Sequence, residues 1–437
     1  MISIKRSLAL VVLSLLVATW ATDAATPLAH REVLPNGMVL LVAERPAVAI
    51  VAVRVFTRAG AVLDPPDRAG LANLTGATLT RGTAKRSGPE LDAAIEFVGG
   101  SLEAGAGRDG FTVSLSVLKK DLDLGLDLLQ EVVLSPAFPD AEVKRKIGEI
   151  QAAIKRSEES PETVAARALA PLVYDRHPYA RPVEGTAESV GKLTRDDVVG
   201  FYRERVRPDT AIVAVVGAIT VAEARAAILR RLGGWKAPAN PPPSVPNAPA
   251  GPPPQTKQIS RDLTQSTILL GRQAVRQIDP DYFPLVVASY VLGGGSASRL
   301  YGRVREEGGQ AYSVYSYVSP ARYGASLVVG AQTRTSEVPK VVDSVRAELD
   351  RMTREAVTDR ELGLAKAYLI GSFPFRLDTS AKVADFLVAI EAQALGLDYA
   401  DRYRAGVASV KAADVQRVAA TFFSPDQFSR VIVGKTP

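Results

Sequence analysis

Side chains able to carry hydrolytic chemistry are scarce in this sequence. Its 437 residues hold two histidines, His30 and His177, and no cysteine. A cysteine nucleophile and every thiolate metal site are therefore excluded. His177 lies in "HPYARPVEGT" (177–186) with no recognisable nucleophile at a telling spacing, so it reads as a structural residue of its loop. The long string "LGGGSASRLYGRVREEGGQAYSVYSYVS" (292–319) holds Arg305 and Tyr312 seven residues apart. A guanidinium fork and a phenol can hold peptide carbonyls or a carboxylate. The plainer reading pairs Arg305 with Glu306 or Glu307 and packs Tyr312 on a strand. Gly293, Gly294 and Gly295 open the same string without a Walker lysine or a Rossmann spacing, and read as a helix-to-turn element where the backbone bends.

These residues need elements to position them. "IVAVRVFTRAG" (50–60), "FTVSLSVLK" (111–119), "STILLGRQAV" (266–275) and "ASLVVGAQT" (325–333) carry strand patterning, and "SEVPKVVDSVRAELDRMTRE" (336–355) is an amphipathic helix. Strands and helices mix without a strict βαβ rhythm, so the fold class is α+β. Residues 236–256, "KAPANPPPSVPNAPAGPPPQT", are too rich in proline for a sheet or helix interior and predict a semi-rigid linker. It divides the chain into 26–235 and 257–437. The halves share a unit: "DVVGFYRERVRPDTAIVAVVG" (197–217) and "DVQRVAATFFSPDQFSRVIVG" (414–434) each read as helix, Pro-Asp turn and β-branched strand in the same spacing, as after a duplication.

Residues 1–25 have the order of a secretory signal, with Lys5 and Arg6 before an apolar run and small residues after it. No later stretch is long and apolar enough to span a bilayer, so the mature chain is expected to be periplasmic or secreted. A formal net charge of +6 is mild for this length, and no basic cluster interleaved with aromatics points to nucleic acid. No acidic loop of the calcium-binding type stands out.

The 292–319 string closely resembles the C-terminal-half signature of the insulinase and pitrilysin family of zinc metallopeptidases, which includes the mitochondrial processing peptidases. The likeness extends through "HPYARPVEGT", "LPNGMVLLV" (34–42) and the proline linker. It implies two homologous domains, each an antiparallel sheet packed with helices, arranged as a clamshell. It also implies that "GLANLTGATLTRGT" (70–83) occupies the place of the family's inverted zincin helix, H-x-x-E-H. The first histidine then falls at Asn73, the catalytic glutamate at Gly76 and the second histidine at Ala77, with the third ligand at about Ala153. Glu149, one turn earlier, could supply one carboxylate in a shifted alignment, but no histidine. Catalytic zinc needs about three nitrogen, sulfur or carboxylate donors, which Asn, Gly and Ala do not provide. The Asn73-Leu74-Thr75 sequon is discounted because the match places it within a helix lining the cleft. Gly76, costing roughly 1 kcal/mol in a helix interior, reads as a site of close packing.

The resemblance thus implies a non-catalytic subunit of a heteromeric zinc metalloendopeptidase. This chain would hold no cofactor. Zinc would reside in a sibling subunit with an intact H-x-x-E-H, and Arg305 and Tyr312 would face unfolded peptide substrates across the cavity. The alternative is a peptide-binding or scaffold protein derived from a peptidase and acting without a catalytic partner.

Overall fold

The computed structural model describes residues 27–435, so the expected signal over 1–25 lies outside the described residues. The first sheet contains β1 (His30–Val33), β2 (Val39–Glu44), β3 (Ile50–Thr57), β4 (Ser101–Ala106), β5 (Phe111–Leu118) and β6 (Ala211–Gly217). The second contains β7 (Thr256–Ser260), β8 (Gln265–Ala274), β9 (Ala311–Ala321), β10 (Gly324–Arg334) and β11 (Ser429–Gly434). Their spatial orders are β1-β2-β6-β3-β5-β4 and β7-β11-β8-β10-β9. All neighbours run antiparallel except β2 with β6 and β7 with β11. With β1 set aside, the sheets match strand for strand, the parallel pair included. The repeated unit legible in the sequence occupies the same place in both, as helix Arg195–Arg205 before β6 and helix Ala412–Phe422 before β11. The fold is α+β, two such sheet-and-helix domains forming a clamshell.

All seven residues of β6, "AIVAVVG", are buried, because both faces of the sheet are covered at this central strand. Strand alternation sends Ala211, Val213 and Val215 into the core of the first half. Ile212, Ala214 and Val216 pack instead with Val383, Leu387 and Ile390 of helix Ser380–Ala392, which comes from the second half. The exchange is reciprocal. Helix Pro161–Tyr174 of the first half lays Ala165, Leu169 and Val173 on Leu269, Val328, Val431 and Val433 of the second sheet. Leu169 seats directly over Gly271, where a Cβ would lie 2.7 Å from Leu169 Cδ2. Neither sheet is closed by its own half alone.

The proline-rich segment lies as a strap along this junction. Ala248 N–H donates to Tyr323 O at 2.6 Å, and Gln273 Nε2 donates to Pro249 O at 2.7 Å and to Val173 O at 3.0 Å. The Pro-Asp turn before β6 holds a buried ion pair. Arg207 is 2% exposed and donates to both carboxylate oxygens of Asp209, at 2.6 and 2.7 Å. At the matching turn of the second half, Asp426 pairs with Arg346 at 2.6 Å on the surface, the two side chains 82% and 41% exposed.

Candidate functional site

The stretch matched to the zincin helix does form a helix, Leu71–Thr78. Its amino end is capped from a distance: the buried Asp64 carboxylate accepts the N–H groups of Gly70 and Ala72, both at 2.8 Å. Gly70, at φ 97°, makes the turn into the helix. Asn73 and Ala77, one turn apart, are the residues of this helix that reach partial exposure, while its other positions are buried. Gly76 lies flat against edge strand β4. A Cβ there would stand 2.7 Å from Ala106 N and 2.8 and 2.9 Å from Gly105 C and Cα. The position matched to the catalytic glutamate therefore has no room for a side chain of any kind.

Ala153 is exposed on helix Asp140–Ser157. Glu149 on the same helix is engaged by Lys146 at 2.8 Å and by Arg145. Among the described residues no group of three or more His, Cys, Asp or Glu could hold a metal ion. The side chains at this site do not fit zinc.

Burial pushes the Asp64 carboxyl up to about 6, against the pull of the Gly70 and Ala72 amides toward the charged form. Because the folded value lies above the ordinary 3.8, the stabilisation is complete below about pH 4 and is lost as pH rises through 6. Relative to Asp64→Asn, the native chain should lose about 3 kcal/mol of stability between pH 4 and 7, read from denaturant midpoints. A pH-independent difference would show that Asp64 ionises without cost in its helix-capping place.

Arg305 and Tyr312 stand at the other end of the chemistry, and both sit on irregular backbone. Arg305 lies in a π-helical stretch, Tyr301–Glu307, with its guanidinium 5.1 Å from the centre of the Tyr301 ring. Arg303, and not Arg305, pairs with Glu307, at 3.2 Å. On β9, Ser313 faces Gln332 and Ala311 faces Thr333, which leaves Tyr312 as the extra residue of a β-bulge. Its ring is 56% exposed. It borders a surface depression shared with Leu263, Thr264, Arg334 and Lys435. π-Bulges and β-bulges both re-aim side chains and are frequent at functional sites.

The glycine string sets the position of β9. A Cβ on Gly293 would lie 2.5 Å from Ser316 N, so the end of helix Tyr282–Gly293 rests on the strand backbone, with Ser289 Oγ and Ser316 Oγ 2.8 Å apart beside it. A Cβ on Gly294 would lie 2.3 Å from Cδ2 of Tyr290, and one on Gly295 2.9 Å from the Tyr290 hydroxyl. Gly293 on β9 mirrors Gly76 on β4, and these are the matching edge strands of the two sheets. Each edge is left open.

His177 is buried, its Nδ1 accepting the Tyr179 N–H and its Nε2 bonding Pro246 O, both at 3.2 Å. Burial lowers its proton affinity. The neutral ring with a proton on Nε2 satisfies both bonds and ties the loop to the strap. His30 is exposed on β1. Sequence reasoning did not find the role of Tyr179. Its hydroxyl donates to Asp109 Oδ1 at 2.5 Å and accepts the Tyr323 N–H at 3.1 Å, which joins the two halves.

Residues 39–187 match a family model described as "Insulinase (Peptidase family M16)", and residues 192–369 one described as "Peptidase M16 inactive domain". A protein named as an uncharacterized zinc protease in Mycobacterium tuberculosis is 30% identical over 366 residues, 83% of each chain. The chain belongs to the insulinase family. A similarly named protein of Streptomyces coelicolor is 29% identical over 396 residues, 89% of this chain and 86% of its own. Two solved structures share the fold. The peptidase M16 inactive domain from Pseudomonas fluorescens has a TM-score of 0.88 at 24% identity, covering 94% of this chain and 98% of its own. A protease from Helicobacter pylori has a TM-score of 0.86 at 20% identity, covering 94% and 100%. At the positions that the resemblance implies for the zinc motif, this chain carries Asn73, Gly76, Ala77 and Ala153.

Proposed function

We propose that the chain is the non-catalytic, substrate-binding subunit of a heteromeric zinc metalloendopeptidase. A sibling insulinase-family subunit with an intact H-x-x-E-H would supply the zinc. The observation that carries this reading is a contrast in side chains: the motif helix offers only Asn73, Gly76 and Ala77, while Arg305 and Tyr312 are exposed at a π-helix and a bulge beside the open edge of β9. An open edge can accept an unfolded peptide as an added strand through main-chain hydrogen bonds, with side chains nearby fixing its place. Arg305 and Tyr312 would hold peptide carbonyls or a terminal carboxylate. The pair would act outside the cytoplasm, in the periplasm or beyond, after removal of the leading segment.

Affinity capture of the tagged mature chain from its host, with mass spectrometry of what stays bound, tests the partner. Near-equal recovery of a sibling bearing H-x-x-E-H supports the heteromer, in the simplest case a heterodimer. Recovery of the chain alone would assign it to peptide binding or scaffolding without a catalytic partner. In the reconstituted pair, Arg305→Ala and Tyr312→Phe should each lower kcat/KM by roughly tenfold or more, the worth of one charge-assisted hydrogen bond, without preventing assembly. Unchanged kinetics in both variants would remove the assigned role.

A further inference from the structure

Between the halves, lined by no residue of either motif, lies a cavity of about 260 Å³. Its floor comes from β3 and β5 and its lid from helix Ser380–Ala392 and the β9–β10 turn. Three arginines converge on it: Arg54, Arg58 and Arg322. Arg54 is satisfied by Asp385 at 2.6 Å. Among the described residues neither Arg58 nor Arg322 has a carboxylate within ion-pair distance.

The nearby acids are already engaged. Asp109 accepts from the Tyr179 hydroxyl and from the Arg322 main-chain N–H at 3.2 Å, and Glu391 is held by Arg31 through two bonds of 2.8 and 3.0 Å. The Nε atoms of Arg58 and Arg322 are both buried and lack an acceptor. Leaving such donors unpaired is costly, and setting two guanidinium groups side by side adds repulsion. Burial, and then the charge of Arg322, lower the proton affinity of Arg58. Apolar surface from Phe56, Val388 and Ala389 completes the walls.

We infer that this cavity is a binding site for a small oxyanion, which Arg58 of the first half and Arg322 of the second half grip together. Planar guanidinium forks match the oxygen spacing of carboxylates and phosphates. The anion would supply the acceptors that the protein withholds and would fasten the two halves across their junction. The inference does not depend on the peptide-binding reading, since neither Arg305 nor Tyr312 contributes.

The test is calorimetric titration of the full mature chain with inorganic phosphate and, separately, with succinate, at low and constant ionic strength. Saturable binding of at least one probe is expected, with a rise in Tm that follows its occupancy. Arg58→Ala and Arg322→Ala should each weaken it by about tenfold or more, whereas the exposed Arg303→Ala should leave it unchanged. If an alanine variant fails to fold, Arg58→Lys provides the reading: it keeps the charge but not the fork, and should bind more weakly than the native chain. Binding of phosphate alone would identify a phosphoryl ligand, and binding of succinate a carboxylate. Absence of saturable binding for both probes, or binding indifferent to Arg58 and Arg322, would overturn the site.

Discussion

Gly76→Glu, the change that would restore the general base of the inverted zincin motif, is expected to destabilise the protein by more than about 3 kcal/mol and to recover no activity. Two effects compete at this position, and Gly76→Ala separates them. Alanine is favoured over glycine in a helix by about 1 kcal/mol. Against this, its Cβ would meet main-chain atoms of Gly105 and Ala106 at 2.7 to 2.9 Å, and a backbone cannot turn aside as a side chain can. Overpacking of this kind typically costs about 1–3 kcal/mol. The net result for Gly76→Ala is therefore a loss of about 1 kcal/mol, and glutamate adds the burial of a charge without a partner. Chemical denaturation of the two variants measures this. A stabilised Gly76→Ala would mean that β4 yields freely, and the site would then be open to rebuilding.

The second large effect concerns two aspartates at the same place in the duplicated unit. Asp209→Ala should cost about 3 kcal/mol, because it strands Arg207, 2% exposed, with its guanidinium unpaired. Asp426→Ala should cost well under about 1 kcal/mol, since its pair with Arg346 is bathed in solvent. Unfolding of the two variants under identical conditions gives the comparison. Equal losses would mean that burial of Arg207 does not set the worth of its partner. Arg207→Met combined with Asp209→Ala should restore part of the loss, because it removes the stranded charge as well.

Much of this architecture could be read from local pattern. Strand alternation located β3, β5, β8 and β10, and the Pro-Asp spacing marked the helix-turn-strand unit that the two halves share. The neighbours of those strands could not be read in the same way: alternation reports that Val213 and Ala214 face opposite sides, not that one side belongs to a helix some 170 residues later in the chain. For the same reason the parallel pairs β2–β6 and β7–β11 were invisible in an otherwise antiparallel expectation.

At the site, the missing donors were legible once the family resemblance had placed the motif, since Asn73, Gly76 and Ala77 carry no imidazole or carboxylate. What lies against Gly76 was not, because the contact with Gly105 and Ala106 joins segments distant in sequence. Tyr312 showed its identity in the string but not its bulge, which depends on how β9 registers with β10. The cation pair Arg58 and Arg322 left no trace in the sequence, since a hairpin turn of one half brings it to a strand of the other.

The exchanged helices carry an evolutionary consequence. A gene that discarded its first half would strip helix Pro161–Tyr174 from the second sheet and leave Leu269, Val431 and Val433 bare to water. Losing the second half would bare Ile212, Ala214 and Val216 in the same manner. The two halves can therefore only be inherited together. Neither half is free of the other: each completes its neighbour's core, so damage to one sheet is felt by both.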